Sequence, residues 1–390
     1  MFKKIQRHNR ILVLGRIKDP NLGDVVITDS CAYLLDRIIR SINKSFFWRK
    51  SRFVFGKAVE IPLVQKANVN NVSESNVKAN MEKFDKIVFP GGGINSMKIT
   101  NALLARMNIT LRTKFYFNGI GVHPVRHKKA LAKNIEKVLN DRRVRQVTTR
   151  GDLEMTKEYI KRDMAYPIEW IVDPALCSND VYGVKKDESS KVIGVGPIRP
   201  EIFVEQDRSI TVDEVYAMYG KLFEELDTRG YSWKVFCNGT ERDYEFAQEV
   251  LERFGYDKDK YLVRRPTKPK ELVEDVAGFA GVIAARFHAN IIATSLSVPS
   301  VALVWNVKMR GFSELIGCPE RYIEDRDKLM DAGYLLDTLE EAMKTGYDHE
   351  KIAEAKNKAY RTLKNVVLDG SPFQWYFRIM NSIRKESVFK

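Results

Sequence analysis

Short runs of β-branched and aromatic residues alternate with helical patterns along almost the whole chain. This alternation is typical of parallel β-sheets whose strands are joined by crossover helices. The predicted strands cover residues 11–15, 59–64, 86–89, 114–118, 144–148, 169–173, 191–196, 233–237, 261–264, 282–285 and 301–305. The predicted helices cover residues 25–42, 127–139, 152–162, 211–229, 241–254 and 349–379. We therefore expect an α/β protein.

A hydrophilic stretch at residues 185–190 interrupts this alternation, which then starts again. With 390 residues, the chain is long enough for two domains of about 150 residues or more. We predict an N-terminal Rossmann-like domain at residues 1–187, a C-terminal Rossmann-like domain at 188–350 and a C-terminal helical segment at 351–390. Two such domains facing a cleft, with the last helix crossing back to pack on the first domain, form the GT-B architecture.

The charge of the chain divides at the same positions. There are 65 Lys and Arg residues against 51 Asp and Glu residues, so the net charge is +14. Residues 1–187 carry +17, residues 188–350 carry −9 and residues 351–390 carry +6. A basic first domain with a basic tail packed on it fits this division, and a coincidence of solvated faces is the alternative.

Composition excludes several classes of protein. A hydrophobic share of 44% with 30% charged residues is that of a folded globular chain, which excludes a disordered or collagen-like one. Because no uncharged apolar run reaches the roughly 20 residues of a membrane helix, and no signal peptide is recognisable, we expect a cytoplasmic protein. The four cysteines are far apart and there are only five histidines, so neither a disulfide framework nor a metal site is predicted.

Ligands of open parallel sheets bind at the carboxyl ends of the strands, so the residues after each strand are candidates for chemistry. The first such loop places Asn21 and Asp24 at the head of a helix, where free amides favour anions or polar groups. Taken alone, this loop fits a turn with a helix N-cap better than a site. A later loop at 118–124 fits a site and a tight turn equally well.

Three consecutive glycines follow the strand at 86–89. They are Gly91, Gly92 and Gly93, and Asn95 comes shortly after them. A triple glycine lets the backbone approach a ligand with its N–H groups available, which is more than a turn requires. We therefore expect these residues to bind substrate.

Cationic side chains follow three further strands. Arg150 ends one strand and would bind an anion if it points into a cleft. Arg286 and His288 lie on one strand-to-helix turn, and Lys308 follows the next strand, so these three would form a cationic pocket for a small dianion such as a phosphate ester. The alternatives are a structural histidine and a solvent-exposed lysine. Neither a Walker A motif nor a complete G-x-G-x-x-G is present, so ATP and NAD are poor candidates.

In their order along the chain, these motifs resemble the polysaccharide pyruvyl transferase family. The resemblance covers about three quarters of the chain. The matching segments are Asn21-Leu22-Gly23-Asp24, Pro90-Gly91-Gly92-Gly93, Arg150-Gly151-Asp152, Asp173-Pro174-Ala175-Leu176, Arg286-Phe287-His288-Ala289-Asn290-Ile291-Ile292-Ala293, Pro299 and Lys308. The departures are Ser297 in place of a frequent Gly, Trp305 in place of a frequent Tyr, and the lack of a usual Ser after Asp152. They bear on the acceptor more than on the donor.

The resemblance implies a GT-B-like enzyme that moves the enolpyruvyl unit of phosphoenolpyruvate onto two hydroxyls of a glycan or lipid-diphosphate-linked sugar. The product would be a pyruvate ketal of a cell-surface polysaccharide, with phosphate released. The resemblance also implies that Arg150, Arg286, His288 and Lys308 bind the donor or act on it. We expect His288 to be the general acid or to protonate the phosphate, and Asp24 to be a base on the acceptor side, in the first domain. The second domain would hold the donor, and no cofactor or metal is expected, because the cations supply the charge stabilisation.

Other functions and partners stay open on the residues alone. A nucleotide-sugar glycosyltransferase would use the same architecture, but the second domain has no clear acidic ribose partner or diphosphate loop. A non-catalytic polysaccharide assembly protein is disfavoured by the converging cations. The net positive charge is the only feature that would suit binding to nucleic acid, so we expect no nucleic-acid partner. Residues 45–53 interleave aromatic side chains with Arg49, Lys50 and Arg52, which indicates peripheral binding to the anionic inner face of a membrane, a core strand being the alternative.

Overall fold

A computed structural model describes residues 10–44, 64–68, 84–109, 112–122, 128–205, 210–370 and 388–389. The chain forms two compact units. The first unit consists of Met1–Lys18, Ile27–Pro174 and Ala353–Lys390, and the second consists of Asp19–Val26 and Ala175–Ile352. The aromatic and basic segment at 45–53, and with it the prediction of a membrane-binding surface there, lies outside the described residues.

A parallel sheet with crossover helices forms the first unit. Its strands are β1 (Ile11–Gly15), β2 (Val64–Asn68), β3 (Lys86–Phe89), β4 (Gly92–Gly93), β5 (Lys114–Gly121), β6 (Val144–Thr149) and β7 (Glu169–Trp170). Its helices include α1 (Leu22–Lys44), which begins in the second unit, α2 (Met97–Ile109), α3 (Lys129–Leu139) and α4 (Leu153–Glu158). The strand order is β2-β1-β3-β5-β6-β7, with β4 paired to β5. Strands β1 and β3 are fully buried, as expected when helices cover both faces of a parallel sheet.

The second unit repeats this plan with five strands. They are β8 (Val192–Gly196), β9 (Ser232–Val235), β10 (Gly281–Ala284), β11 (Ser300–Leu303) and β12 (Tyr322–Ile323). The helices are α5 (Ser178–Tyr182), α6 (Glu201–Val204), α7 (Val212–Thr228), α8 (Glu241–Arg253), α9 (Lys258–Tyr261), α10 (Pro269–Ala277), α11 (Phe287–Ser295), α12 (Val307–Ile316), α13 (Arg326–Leu329) and α14 (Ala332–Thr345). The strand order is β12-β11-β10-β8-β9, and every pairing is parallel. The last helix, α15 (His349–Leu368), belongs to the first unit from Ala353 onward.

The prediction of two parallel α/β units is confirmed. One predicted strand, at 261–264, is wrong, because Tyr261 ends helix α9 and only Leu262 forms an isolated bridge, to Val235. The aromatic ring of Tyr261 packs on Trp233 with ring centroids 4.3 Å apart. The apolar residues at 261–264 therefore pack against neighbouring side chains and do not form a β-strand.

The division of the chain differs from the predicted boundary at residue 187. The units separate between Pro174 and Ala175, and Asp19–Val26 belongs to the second unit. The amide of Leu22 donates to the carbonyl oxygen of Asn238 (3.0 Å). The Leu22 side chain also lies against Gly239, where an added Cβ would be 2.7 Å from Leu22 Cδ1. These contacts explain why the segment joins a unit whose other residues lie far along the chain.

Helix α15 is held at its C-terminal end by a buried lysine. Lys86, the first residue of β3, donates from Nζ to the carbonyl oxygens of Val366 (2.8 Å) and Val367 (2.9 Å). The last carbonyls of a helix lack partners within the helix, so Lys86 supplies the donors that α15 needs. This contact ties the final helix to the middle of the sheet.

A buried carboxylate follows the same helix. Asp369 accepts from the hydroxyl of Tyr116 (2.5 Å) and forms ion pairs with Lys114 (3.1 Å) and Arg145 (3.2 Å). Burial raises the pKa of Asp369, but the hydrogen bonds from Tyr116 and Arg145 have the larger combined effect and hold this pKa well below the usual range. Asp369 is therefore a charged anchor between α15 and strands β5 and β6.

The described part of the chain contains neither a membrane-spanning helix nor a metal-binding cluster. None of its helices combines the length and the apolar character needed to span a bilayer. The described residues also hold no cluster of three or more His, Cys, Asp or Glu side chains that could bind a metal ion. All four cysteines are free and buried.

The buried amine of Lys86 predicts a pH dependence of stability. Burial lowers the pKa of Lys86 from 10.5 to about 7. Between these two values the unfolded chain binds a proton that the folded chain lacks, so the free energy of unfolding rises with pH. We expect the urea midpoint of the wild type to increase from about pH 6.5 to about pH 9.5, and that of Lys86→Met to lack this increase. A variant that keeps the wild-type slope would contradict this assignment.

Candidate functional site

In the second unit, the turn between β10 and α11 is fixed by side chains that bond its carbonyl groups. Asn290 donates from Nδ2 to the carbonyl oxygens of Ala284 (2.9 Å) and Arg286 (3.1 Å). Trp305 donates from Nε1 to the carbonyl oxygen of Ala285 (2.7 Å). Arg286 is the N-cap residue of α11 and has an extended backbone. These bonds hold the backbone of Arg286 in one conformation.

The guanidinium group of Arg286 is held by a buried carboxylate. Its Nε and Nη2 atoms lie 2.7 Å and 2.5 Å from Oδ2 of Asp243, a fully buried residue in the first turn of α8. Thr240, the N-cap residue of α8, donates its hydroxyl to the same oxygen. The Arg286 side chain is 14% exposed. The carboxylate therefore fixes the orientation of a guanidinium group that still reaches solvent.

A second arginine, which no sequence pattern had singled out, shares the same carboxylate. Arg199 follows β8, and its Nη1 atom lies 3.4 Å from Oδ1 of Asp243. The signal that could have found Arg199 is the one that found Arg286: an arginine just after a strand of the predicted sheet. Asp243 had no such signal, because an aspartate in the first turn of a helix is common wherever it stabilises the helix dipole.

His288 lies against the segment Asp19–Val26. A Cβ built on Gly23 would lie 2.4 Å from both Cβ and Nδ1 of His288, so only glycine permits this approach. Beside Gly23, the side chain of Asn21 donates to Oδ2 of Asp24 (3.4 Å), and the amide of Asp24 donates to the carbonyl oxygen of Asn21 (3.1 Å). The loop with Asn21 and Asp24 therefore lies beside His288 in the second unit, whereas their position in the chain predicted that these two residues belong to the first domain.

Lys308 is the second residue of α12, the helix that follows β11. Strand β11 is the neighbour of β10 in the sheet. The backbone of Lys308 therefore follows the end of the strand beside the one that carries Arg286. A role for the Lys308 side chain in a cationic pocket stays a prediction.

In the first unit, the triple glycine forms a loop that pairs with β5 and has free space beside its backbone at Gly92. Gly91 and Gly92 have φ angles of +121° and +89°, a region that favours glycine. Gly92 and Gly93 form β4, which pairs with β5, and an added Cβ on Gly91 would lie 3.2 Å from the carbonyl oxygen of Gly119. A Cβ on Gly92 would meet nothing within 4 Å. The loop thus leaves room at Gly92, and the half-buried Asn95 follows it.

Arg150 is buried in the first unit and forms an ion pair with the fully buried Asp173. Asp152 accepts from the amide of Met155 (2.9 Å) and is the N-cap residue of α4. The ion pair joins the end of β6 to the segment after β7 and places a carboxylate against the guanidinium group of Arg150. Arg150 belongs to a different unit from Arg286 and His288. Binding of an anion by Arg150 stays a prediction.

The side chains that follow the strands of the second unit include guanidinium groups and an imidazole. Arginine forks can bind a carboxylate or a phosphate, and an imidazole is suited to proton transfer near neutral pH. Cys237 lies two residues after β9, and burial raises the pKa of its thiol to about 11. Because the thiol is neutral at physiological pH, it is a poor nucleophile.

Two solved structures share the fold over nearly the whole chain. MnaA from S. aureus, solved together with UDP, matches with a TM-score of 0.52 and 11% identity over 98% of this chain and 100% of that one. A candidate UDP-N-acetylglucosamine 2-epimerase from Listeria monocytogenes matches with a TM-score of 0.53 and 10% identity, over the same shares of the two chains. These likenesses define the class: the protein has a GT-B-like fold with two parallel-sheet α/β domains.

The family follows from the sequence. The profile of the polysaccharide pyruvyl transferase family matches residues 3–307. The chain belongs to the polysaccharide pyruvyl transferase family, which confirms the resemblance of its motifs. The match includes Asp24, Arg150, Arg286 and His288 and ends one residue before Lys308. No curated protein matches the chain.

The contact between Gly23 and His288 predicts the effect of a single methyl group. Alanine is a better helix former than glycine, so Gly23→Ala should not weaken α1 itself, but its Cβ would displace His288. A misplacement of about 1 Å in a catalytic site can cost about 100-fold in rate, so we expect pyruvyl transfer to fall by about that factor if His288 has the role predicted from the sequence. Circular dichroism should show a folded protein. Gly278→Ala, where the nearest atom is 3.4 Å away, is the control, and full activity of Gly23→Ala would show that His288 tolerates displacement.

Proposed function

We propose that the protein transfers the enolpyruvyl unit of phosphoenolpyruvate to two hydroxyls of one sugar, in a glycan or a lipid-diphosphate-linked intermediate, and forms a pyruvate ketal. The observation that carries the proposal is the turn after β10, where Asp243 holds Arg286 and His288 stands two residues further on. A fixed cation beside a titratable ring suits a donor that is anionic and must be protonated. Membership in the family supports the identity of the transferred group.

Binding of this donor needs several fixed cations. Phosphoenolpyruvate carries a carboxylate and a phosphate, and the planar fork of an arginine matches a carboxylate, whereas a lysine suits a phosphate as a point charge. We assign the donor to the second unit, with Arg286 on its carboxylate and Lys308 on its phosphate. No cofactor or metal is required by this assignment.

The reaction adds two sugar oxygens to one carbon of the donor. The methylene carbon takes a proton from His288 and becomes a methyl group, and the first hydroxyl adds to the adjacent carbon and gives its proton to Asp24. The bond from that carbon to the phosphate oxygen then breaks, and the phosphate leaves with the electron pair. The second hydroxyl adds to the same carbon, and its proton goes to the phosphate. The transfer is therefore balanced without an oxidant or a reductant.

The acceptor is assigned to the loops that carry glycine and polar groups. The open backbone at Gly92, with Gly91, Gly93 and Asn95 beside it, suits the hydroxyl groups of a sugar. Within the second unit, the contact of Gly23 with His288 supports a general base at Asp24, because the two loops that carry the acid and the base touch each other.

The proposal is tested by incubating the protein with phosphoenolpyruvate and candidate glycan or lipid-linked acceptors. We expect phosphate to be released only when donor and acceptor are both present, and a ketal methyl signal to appear in the NMR spectrum of the product. His288→Gln should lower the rate by about 100-fold or more, because an amide cannot donate the proton. His349→Gln, which changes an exposed histidine, is the control.

Each other outcome of this assay supports a different function. Release of a nucleoside diphosphate from a nucleotide sugar, without phosphate release from phosphoenolpyruvate, would support the glycosyltransferase alternative. Acceptor binding without any turnover would support an assembly protein. Full activity of His288→Gln would move the proton donor to another group.

The proposal extends to an anionic membrane surface, where a lipid-linked acceptor would be found. Helix α3 supports this extension: Lys129, Lys133 and Lys137 are exposed along one face, while Leu131 and Ile135 are buried on the other. Lysines at this spacing lie on one side of a helix, and each basic residue near an anionic leaflet contributes about 1 kcal/mol to binding.

Binding to vesicles tests the membrane extension. We expect the protein to co-sediment with phosphatidylglycerol vesicles but not with phosphatidylcholine vesicles, and the bound fraction to fall as salt is added. Replacing Lys129, Lys133 and Lys137 by Ser should reduce binding, whereas replacing the exposed lysines Lys221, Lys234 and Lys344 of the second unit should not. Equal binding to both kinds of vesicle, or no binding at low salt, would exclude this extension.

A further inference from the structure

Two arginines from different strands converge on one buried carboxylate. Arg199 comes from the end of β8 and Arg286 from the end of β10, and these strands are neighbours in the sheet. Asp243, from the helix after β9, bonds Arg199 through Oδ1 and Arg286 through Oδ2, so each arginine has its own carboxylate oxygen. The spacing of the two guanidinium groups is therefore set by one rigid side chain.

The local charge of this cluster favours an anion. One carboxylate faces two guanidinium groups, which leaves one positive charge in excess, although residues 188–350 as a whole carry −9. The Arg199 side chain is 27% exposed, so the excess charge is accessible to solvent.

The donors of the two arginines are only partly used. A guanidinium group has five N–H donors in a fixed fork. Among the described residues, Asp243 is bonded by Nη1 of Arg199 and by Nε and Nη2 of Arg286, and no bond of Nη2 of Arg199 or Nη1 of Arg286 is present. These groups can bond a ligand without breaking the contacts to Asp243.

We propose that Arg199 binds the anionic donor together with Arg286, and that Asp243 is a positioning residue that aligns both guanidinium groups. The ligand is a small anion that carries a carboxylate and a phosphate. The inference rests on the proposed function for the identity of this anion as phosphoenolpyruvate. It assigns a binding role to Arg199, which lies within the segment that the family profile matches but outside the motifs that carry the resemblance.

Asp243 offers a sharp test, because two roles predict opposite results. Removing a negative charge next to an anion site should tighten binding of the anion if Asp243 acts only through its charge. If Asp243 aligns the arginines, Asp243→Asn should weaken binding, since the guanidinium groups lose their fixed orientation. The KM for phosphoenolpyruvate should then rise while the KM for the acceptor stays unchanged, a split that general destabilisation would not produce.

Calorimetric titration with phosphoenolpyruvate, without acceptor, tests Arg199 directly. We expect Arg199→Gln to weaken binding by about 10-fold or more, the usual effect of losing a hydrogen bond between charged groups. Arg199→Lys should recover only part of the affinity, because an ammonium group cannot form the planar fork. Arg229→Gln is the matched control: this side chain is 24% exposed and pairs with Glu225, Asp337 and Glu340 on the same unit.

The outcomes separate this inference from the proposed function. If the wild type binds phosphoenolpyruvate and Arg199→Gln binds it equally well, the inference is overturned and the proposed function stands. If the wild type does not bind phosphoenolpyruvate, the proposed function fails, and inorganic phosphate becomes the probe. Phosphate that binds the wild type but not Arg199→Gln would support the anion site, and equal or absent binding would overturn it. Should Asp243→Asn fail to fold, the partly exposed Arg199 variants still decide the question.

Discussion

Parallel pairing of the strands is the constraint on which both units depend. In a parallel sheet all strands end at the same edge, so the side chains that follow them meet there while the apolar stretches stay inside. In the second unit this places Arg199 after β8 and Arg286 after β10, close enough to share Asp243. In the first unit it places the glycine loops after β3 and within β5 against each other. The topology therefore assembles the cationic cluster from residues that are far apart in the chain.

Local patterns were sufficient for most of the architecture. The predicted strands at 11–15 and 86–89 match β1 and β3, and the predicted helix at 241–254 differs from α8 by one residue. These elements could be predicted because a buried parallel strand is a short continuous run of apolar residues, whereas the apolar residues of a crossover helix recur at helical spacing. The pattern failed at Tyr261, where apolar residues near a sheet edge pack on Trp233 without forming a strand.

Features that depend on partners far along the chain were not readable. The residues around Gly23 do not predict that its backbone lies against His288. That contact arises because the start of α1 belongs to the second unit. Burial and pairing were equally hidden: Arg150 and Arg286 both follow a strand and both pair with a buried aspartate, but Arg150 is itself buried, whereas Arg286 reaches solvent. Strand-end position therefore predicts which residues meet, whereas the burial and pairing of each side chain depend on partners elsewhere in the chain.

The order of synthesis places a demand on a chain with this division. The first unit is completed by Ala353–Lys390, and these residues leave the ribosome only after the whole of Ala175–Ile352 has been made. Until then Lys86 has no helix carbonyls to bond, and the sheet of the first unit lacks the helix that Asp369 anchors. Asp19–Val26 has to wait in the same way for residues such as Asn238. The first unit cannot be completed until the end of synthesis, so its sheet lacks α15 through most of translation, a period in which a partly folded chain is prone to aggregate.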